Sequence, residues 1–514
     1  MLRKIRLTFA MIFFALITLL FLDFTGTVHG WFGWLAKIQF LPAILALNVG
    51  VILLLVILTW VCGRIYCSVI CPLGVLQDVM AWLGRKIPKR KKLPYSYSPA
   101  LSWLRYGVLG VFVAALATGI GSFVALLAPY SSYGRIANNL LQPVWQWANN
   151  GLAYLAERTD SYAFYETEVW IKSLPTLLIA SATFVSLIIL AVRNGRTYCN
   201  TICPVGTILG FLSRYSLFRI TIDPEKCNKC SLCSRRCKAA CIDFKSYRID
   251  YSRCVTCMDC IDTCKHAAIS YKYHPIGSYH AVENQKGESM AVTASSAPKA
   301  SSDDTDNTRR SFFTATALVA ATSLVKAQEK KVDGGLATIE DKATPHRNTP
   351  ITPPGSLSAH NMAQHCTACQ LCVSICPNQV LHPSTDLLKL MQPEMSYEHG
   401  YCRPECTRCS EVCPAGAILP ITRADKSSVQ IGHAVWIKKN CIPLTDGVEC
   451  GNCARHCPAG AIQMVPNVPE DKNSTKIPVI NVERCIGCGA CENLCPARPF
   501  TAIYVEGHER HRIV

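Results

Sequence analysis

Charge is scarce in this sequence. Asp, Glu, Lys and Arg make up 17 % of the 514 residues, against about 25 % in soluble domains. Part of the chain is therefore expected to lie in a membrane. No C-x-x-C-H is present, which excludes c-type haem attachment. No Gly-x-Gly-x-x-Gly opens a helix after a strand, so a nicotinamide or flavin site has no support. No nucleophile–base constellation stands out. What is abundant is cysteine, with thirty residues. Disulfides account for such density only in small secreted domains, and the spacings here are ligand spacings.

Sixteen cysteines fall in four groups between 366 and 495. These are Cys366/Cys369/Cys372/Cys376, Cys402/Cys406/Cys409/Cys413, Cys441/Cys450/Cys453/Cys457 and Cys485/Cys488/Cys491/Cys495. The first and last read C-x2-C-x2-C-x3-C-P, and Pro377, Pro414, Pro458 and Pro496 close the four groups. This is the ligand run of bacterial 4Fe–4S ferredoxins, whose fourth cysteine ligates the neighbouring cluster. A zinc ribbon has two C-x2-C pairs and no third cysteine at this spacing. The middle groups carry insertions, Cys402-x3-Cys406 and Cys441-x8-Cys450, which read as loops rather than lost ligands. Analogy with four-cluster ferredoxin-like subunits predicts nested pairing, first group with fourth and second with third. A compact two-cluster unit precedes them: Cys227/Cys230/Cys233/Cys237 and Cys254/Cys257/Cys260/Cys264, with β-like pieces at 247–250 and 268–273. The swap rule predicts Cys227, Cys230, Cys233 and Cys264 on one cluster, and Cys254, Cys257, Cys260 and Cys237 on the other. Lys238 and Lys265 stand where proline is usual, and Cys241 is an extra thiol that competes with Cys237 as ligand. Six 4Fe–4S clusters are expected in all.

Apolar runs at 7–22, about 40–61, about 104–128 and about 174–192 each approach the ~20 residues a bilayer core requires. None contains histidine, which excludes an intramembrane bis-histidine haem. Basic residues follow the second and fourth runs, the densest being Arg85, Lys86, Lys89, Arg90, Lys91 and Lys92. The positive-inside rule places them, with the basic N-terminus, in the cytoplasm. Beside a membrane they need no nucleic-acid partner. The stretch 129–173, poor in Lys and Arg, is expected as a periplasmic loop. GRIYCSVICPLG at 63–74 recurs as GRTYCNTICPVG at 195–206. Each copy offers two thiols on one helical face, Cys67 with Cys71 and Cys199 with Cys203. If the copies converge, four thiols make a further metal site or a thiol relay; the alternative is a turn with buried cysteine. Cys62, outside the repeat, reads as a core residue.

The expected organisation is a membrane domain at 1–215, a two-cluster ferredoxin domain at 216–275 and a flexible linker at 276–307. A signal or anchor at 308–327, a second linker at 328–352 and a four-cluster domain at 353–514 follow. The fold class is thus membrane α-helical plus two α+β ferredoxin-like iron–sulfur domains. There are four spans, with a fifth if 308–327 crosses. Thr308-Arg309-Arg310-Ser311-Phe312-Phe313-Thr314 and its apolar tail resemble a twin-arginine signal, implying the twin-arginine translocase as a partner, with a cleavage site offered at Val325-Lys326-Ala327.

The first ~275 residues resemble NapH, a quinol-dehydrogenase-type membrane ferredoxin, through the four spans, the two GRxYCxxxCPxG copies and the trailing two-cluster unit. The rest resembles the NapG/MauM group of periplasmic ferredoxins, through the twin-arginine start, the PPGSLS phrase at 353–358 and the four motifs. The resemblance implies an inner-membrane relay. Quinol would be oxidised at the membrane module, and the clusters would serve a periplasmic oxidoreductase or cytochrome. The thiols Cys67, Cys71, Cys199 and Cys203 would lie beside the quinol site. Related groups act in assembling other redox enzymes, so a maturation factor is the alternative.

Overall fold

Two long helices set the frame of the molecule, a computed structural model that describes residues 2–86, 95–161, 164–274, 342–471 and 474–513. Helix α1 (Leu2–Leu22) and helix α9 (Leu174–Asn194) have 21 residues each, about 30 Å at 1.5 Å per residue. Among the described residues they alone are long and apolar enough to cross a bilayer. The other two expected spans are broken. The second divides into α2 (Phe40–Leu45) and α3 (Val49–Cys62), with Leu47 in a left-handed conformation and Asn48 capping α3 through its side chain. The third divides into α5 (Ser102–Thr118) and α6 (Gly121–Leu127), because Gly119 at φ 74° caps α5. Of the four expected spans, two are thus single helices long enough to cross a bilayer. Between these lies α4 (Pro72–Lys86), which packs against both α1 and α9. Leu53, Leu54, Ile57, Val111, Val113, Leu178 and Val185 face outward, an apolar girdle suited to lipid.

The expected periplasmic loop is helical. It forms α7 (Pro129–Ile136), a π-helical turn at Ala137–Leu141 and α8 (Gln142–Glu157). Every residue of α7 is buried, so this segment is a platform rather than a solvent loop. After α9, α10 (Pro204–Ser213) leads into strand β1 (Phe218–Ile222).

Three units share one plan, in which two groups of four cysteines flank a short antiparallel hairpin. In 227–264 the hairpin is β2 (Ile242–Asp243) with β3 (Arg248–Ile249), and β1 pairs with β4 (Ile269–Tyr273) outside it. The second unit uses β5 (Leu381–Pro383) with β6 (Pro393–Met395). The third uses β8 (Ile462–Pro466) with β9 (Lys476–Ile480), enclosed by β7 (Val429–Trp436) pairing β10 (Ile503–Ile513).

Residues Met1–His274 and Ala343–Val514 make one compact unit. One apolar core runs from Ile17, Phe21 and Tyr133 in the helices into Met362, Leu371 and Ile375 of the later cysteine domain. The first ferredoxin unit keeps its own core around Ile220, Ile242 and Ile269. The two bodies meet opposite ends of the long helices. Arg3, at the start of α1, bonds Asp259 at 2.8 Å and Asp262 at 3.2 Å in the first unit. The far end of α1 meets the second, where Phe21 and the Cys369 carbonyl both press on Gly134. Ahead of α9, Trp170 stacks on His399 at 4.3 Å. Just after it, the Arg196 amide donates to the Lys238 carbonyl at 2.9 Å. Cys62 is only half-buried, not a core residue. The twin-arginine segment, its cleavage site, the linker 276–307 and most of the run 85–92 lie outside the described residues.

Candidate metal centres

Left-handed residues bend the chain between successive cysteines. They are Lys229 and Ser231, Thr256 and Met258, Ala368 and Gln370, and Gly487 and Gly489, with φ between 50° and 80°. Each pair flanks the middle thiol of a C-x2-C-x2-C run and turns three thiols toward one centre. A further left-handed residue stands three places after the fourth cysteine, at Ala240, Ala267, Gln379, Gly416 and Gly460. This bend aims backbone N–H groups back at sulfur. Val380 donates to Cys376 Sγ at 3.4 Å and Ala461 to Cys457 Sγ at 3.3 Å. Donors of this kind stabilise thiolate, the ligating form. The second group, with its insertion, lacks the double bend. There Lys426, buried and without a carboxylate partner among the described residues, donates to Cys402 Sγ at 3.2 Å.

The thiols assemble into six sets of four. Cys227, Cys230, Cys233 and Cys264 line one cavity. Cys237, Cys254, Cys257 and Cys260 line the next, as the swap rule predicts, and Cys241 joins them with its Sγ 3.5 Å from that of Cys237. In the later domain Cys413 lies within charge range of Cys366, Cys369 and Cys372. Cys376 lies with Cys402, Cys406 and Cys409. Cys495 shares a cavity with Cys441, Cys450 and Cys453. Cys457 shares one with Cys485, Cys488 and Cys491. The nested pairing is therefore corrected. First pairs with second and third with fourth, because the β5–β6 and β8–β9 hairpins close each pair locally. The sets fit a cubane. Each has four thiol donors, buried or half-buried apart from the exposed Cys230, with N–H groups aimed at sulfur, and four of the six line a cavity.

These sets stand in series. Cys369, in the first, lies against α7, where Tyr130 is buried beside Cys369 and Cys413 and its phenol is pushed up by burial, then by those thiols. The Cys376 set follows. Cys402 N–H then donates to the Cys488 carbonyl at 2.9 Å, and Tyr397, buried between, donates to the Gly487 carbonyl at 2.6 Å. The Cys441 set is farthest along the series. Lys172 reaches from the approach to α9 to Asn138 and Gln142, both at 2.9 Å. Burial pulls it down to about 8, against the neighbouring Cys376 and Cys372.

The repeat brings all four of its thiols together. Cys67, Cys71, Cys199 and Cys203 are buried, and each lies within charge range of others in the set. Burial and then the neighbouring thiols push Cys71 and Cys203 well up. The copies clamp one another. Arg64 donates to the Cys199 carbonyl at 3.3 Å, and Arg196 to the Cys67 carbonyl at 2.6 Å. Gly74 and Gly206 admit this approach, because a Cβ on either would collide with the carbonyl the arginine holds. The same arginines grip the first ferredoxin unit, Arg64 through the Ser252 carbonyl at 2.9 Å and Arg196 through its amide on Lys238. Asp78 anchors Arg6 (2.6 Å), Arg196 (2.8 Å) and Lys238 (3.6 Å). Burial opposes its ionisation, but Arg196, Lys238 and Arg6 hold the carboxyl well below the usual range. Lys238 also bonds Asp259 at 3.0 Å, which accounts for lysine in the place of proline. Sequence reasoning missed Arg64, Arg196, Gln77, Asp78, Arg135 and Lys426. For the first two the signal was present, since both arginines recur in the repeat.

Family profiles match the same stretches. A "4Fe-4S binding domain" profile matches residues 44–91 and 175–222, the two copies, and a "4Fe-4S dicluster domain" profile matches 448–498. Ferredoxin-type protein NapF of Escherichia coli is 30% identical over 161 residues, 31% of this chain and 87% of that protein. Ferredoxin-type protein NapH of Haemophilus influenzae is 30% identical over 179 residues, 35% of this chain and 48% of its own length. Methylamine utilization ferredoxin-type protein MauM of Methylophilus methylotrophus is 29% identical over 154 residues, 28% of this chain and 66% of that protein. The chain thus spans about half the length of this NapH. No solved structure matches. On its cysteine runs and these likenesses, the chain belongs to the ferredoxin-type 4Fe–4S proteins typified by NapF, NapH and MauM.

Proposed function

We propose that this protein is a membrane-bound electron relay that takes electrons from quinol and delivers them to a redox partner in the periplasm. Clusters in the six thiol sets supply one-electron carriers. The observation that carries the reading is the series of four sets leading from α7, beside the far end of α1, outward to Cys441. The residues of this chain hold those sets in order. Gly134 lets Cys369 seat against the helices, Tyr397 and the Cys402–Cys488 hydrogen bond join the two later units, and Lys426 offsets charge at the second set. The first ferredoxin unit meets the opposite end of α1, at Arg3, which supports placing it in the cytoplasm beside the basic N-terminus. That Cys67, Cys71, Cys199 and Cys203 adjoin a quinol site belongs to the same proposal, as does the assignment of Cys237 rather than Cys241 as ligand. The names of NapH and MauM relatives support redox partners without identifying this one.

The test is anaerobic. The intact chain in detergent is mixed with a reduced menaquinone analogue, and cluster signals are followed by EPR. Reduction within seconds, over repeated cycles with an added oxidant, supports a relay. Clusters that stay oxidised with quinol yet respond to dithionite would defeat the quinol step and leave the maturation role.

A further inference from the structure

We infer that Cys67, Cys71, Cys199 and Cys203 jointly hold one iron–sulfur cluster beyond the six, with two ligands from each copy of the repeat.

The first ground is convergence, since four buried thiols from segments 132 residues apart in sequence meet at one place (Cys67 and Cys199). The second is an uncompensated cation. Arg64 is fully buried and has no carboxylate partner among the described residues. Its donors reach the Asn200 side chain at 2.9 Å, two carbonyls, and Cys67 Sγ at 3.8 Å, and Nε has no partner. An ion buried without a counter-charge is strongly disfavoured. Neutral thiols do not relieve that cost. Four thiolates on a 4Fe–4S core of charge 2+ leave a net charge of about 2−, at the place Arg64 faces. The third is the set of donors aimed at sulfur. Gln77 donates to Cys199 Sγ at 3.3 Å and the Gly206 amide to Cys203 Sγ at 3.3 Å, the kind of contact found in the ferredoxin runs.

A single zinc in the same place would carry the same net charge. It draws its sulfurs to roughly 3.8 Å from one another, at a Zn–S bond of about 2.3 Å. The thiols of a cubane sit on separate irons and stand farther apart. The site also lies between the two ferredoxin bodies. Arg64 is within charge range of Cys254 on one side. On the other, Tyr198 neighbours Cys199 and Cys203, and Arg135 lies within charge range of both Tyr198 and Cys369.

The experiment counts iron, acid-labile sulfide and zinc in the intact chain purified without oxygen. Six 4Fe–4S clusters give about 24 irons, and a further cluster raises this to about 28. The double variant Cys67→Ala with Cys199→Ala is expected to return the count to about 24, to remove one EPR species and to keep the rest. Arg64→Met is expected to leave the iron count unchanged and to lower the midpoint potential of that species alone, because a nearby positive charge favours the reduced form. A wild-type count of about 24, stoichiometric zinc, or a folded double variant with unchanged iron would overturn the inference. Each of these readings is independent of whether quinol reduces the protein, so the relay proposal stands or falls separately.

Discussion

The two copies of GRxYCxxxCPxG match in sequence and in their mutual clamp, yet differ in charge. Arg196 in the second copy is held by Asp78, seven residues after Cys71. The corresponding place after Cys203 is Gly210, where a side chain would press on the Ser252 carbonyl and, at 2.7 Å, on Arg105. Arg64 therefore lacks the carboxylate its twin has. Gln77, which touches Cys199, has only Leu209 as its counterpart. Duplication has kept what brings thiols together and given up symmetry around them. Both arginines clamp the copies; Arg196 is neutralised by Asp78, while Arg64 faces sulfur without a carboxylate.

The largest effect is expected where the asymmetry is anchored. Asp78→Asn leaves Arg6, Arg196 and Lys238 without their shared anion, and removing one partner of a buried ion pair costs about 3–5 kcal/mol. Thermal unfolding in detergent should show a large loss, with the first ferredoxin unit becoming sensitive to trypsin. Arg64→Met, by contrast, loses its contacts to two carbonyls and Asn200 but also removes a buried cation that has no carboxylate, so on iron-free protein its loss should be clearly smaller. Equal losses in the two variants would remove the distinction between the arginines.

Next come the glycines that the copies share. Gly74→Ala and Gly206→Ala each force a methyl onto a carbonyl, with Arg196 Nη1 at 3.3 Å in the first case and Arg64 Nη2 at 2.9 Å in the second. Overpacking of this kind costs about 1–3 kcal/mol. Both should lower the unfolding midpoint alike, since the clamp is symmetric. A difference larger than the error would show that the copies bear unequal load. Lys238→Ala should cost less, about 1 kcal/mol, because Asp78 retains two arginines and Asp259 retains Arg3. Its readout is release of the first ferredoxin unit in limited proteolysis.

Cysteine spacing made the ferredoxin units legible, because C-x2-C-x2-C leaves room only for the tight left-handed turns seen at Lys229 and Ala368. The repeat was legible too, and its thiols converge as its duplication suggested. The pairing of the later groups was not, since spacing says nothing about which hairpin closes on which. Apolar runs located the helices but hid the breaks at Leu47 and Gly119, because hydropathy is blind to a single residue's φ. The stretch 129–173 read as a loop from its low charge. Its burial depends on a domain more than 200 residues later, whose Gln370 bonds Asn138 at 3.1 Å and Asn139 at 3.0 Å. Asp78 carried no signal, since its three partners come from three distant parts of the chain.

The copies differ again at the far ends of their helices, and there the expected effect is smallest. Ahead of α3, Gly416 of the later domain comes against Ala46. Ahead of α9, Trp170 packs against both His382 and His399, at 4.7 and 4.3 Å, and bonds Gln379. Burial pulls His382 down to about 4, while an unfolded histidine titrates near 6.5. The folded form therefore refuses a proton that the unfolded form takes, and stability falls as pH drops from about 6.5 toward 4. From pH 7.5 to 5.5 the loss from this group is about 1 kcal/mol. His382→Gln keeps a polar side chain that does not titrate, so it should flatten that part of the pH profile while leaving the midpoint at pH 7.5 within a degree or two. An unchanged slope would assign the acid sensitivity to other groups and leave the two helix ends alike in their response to pH.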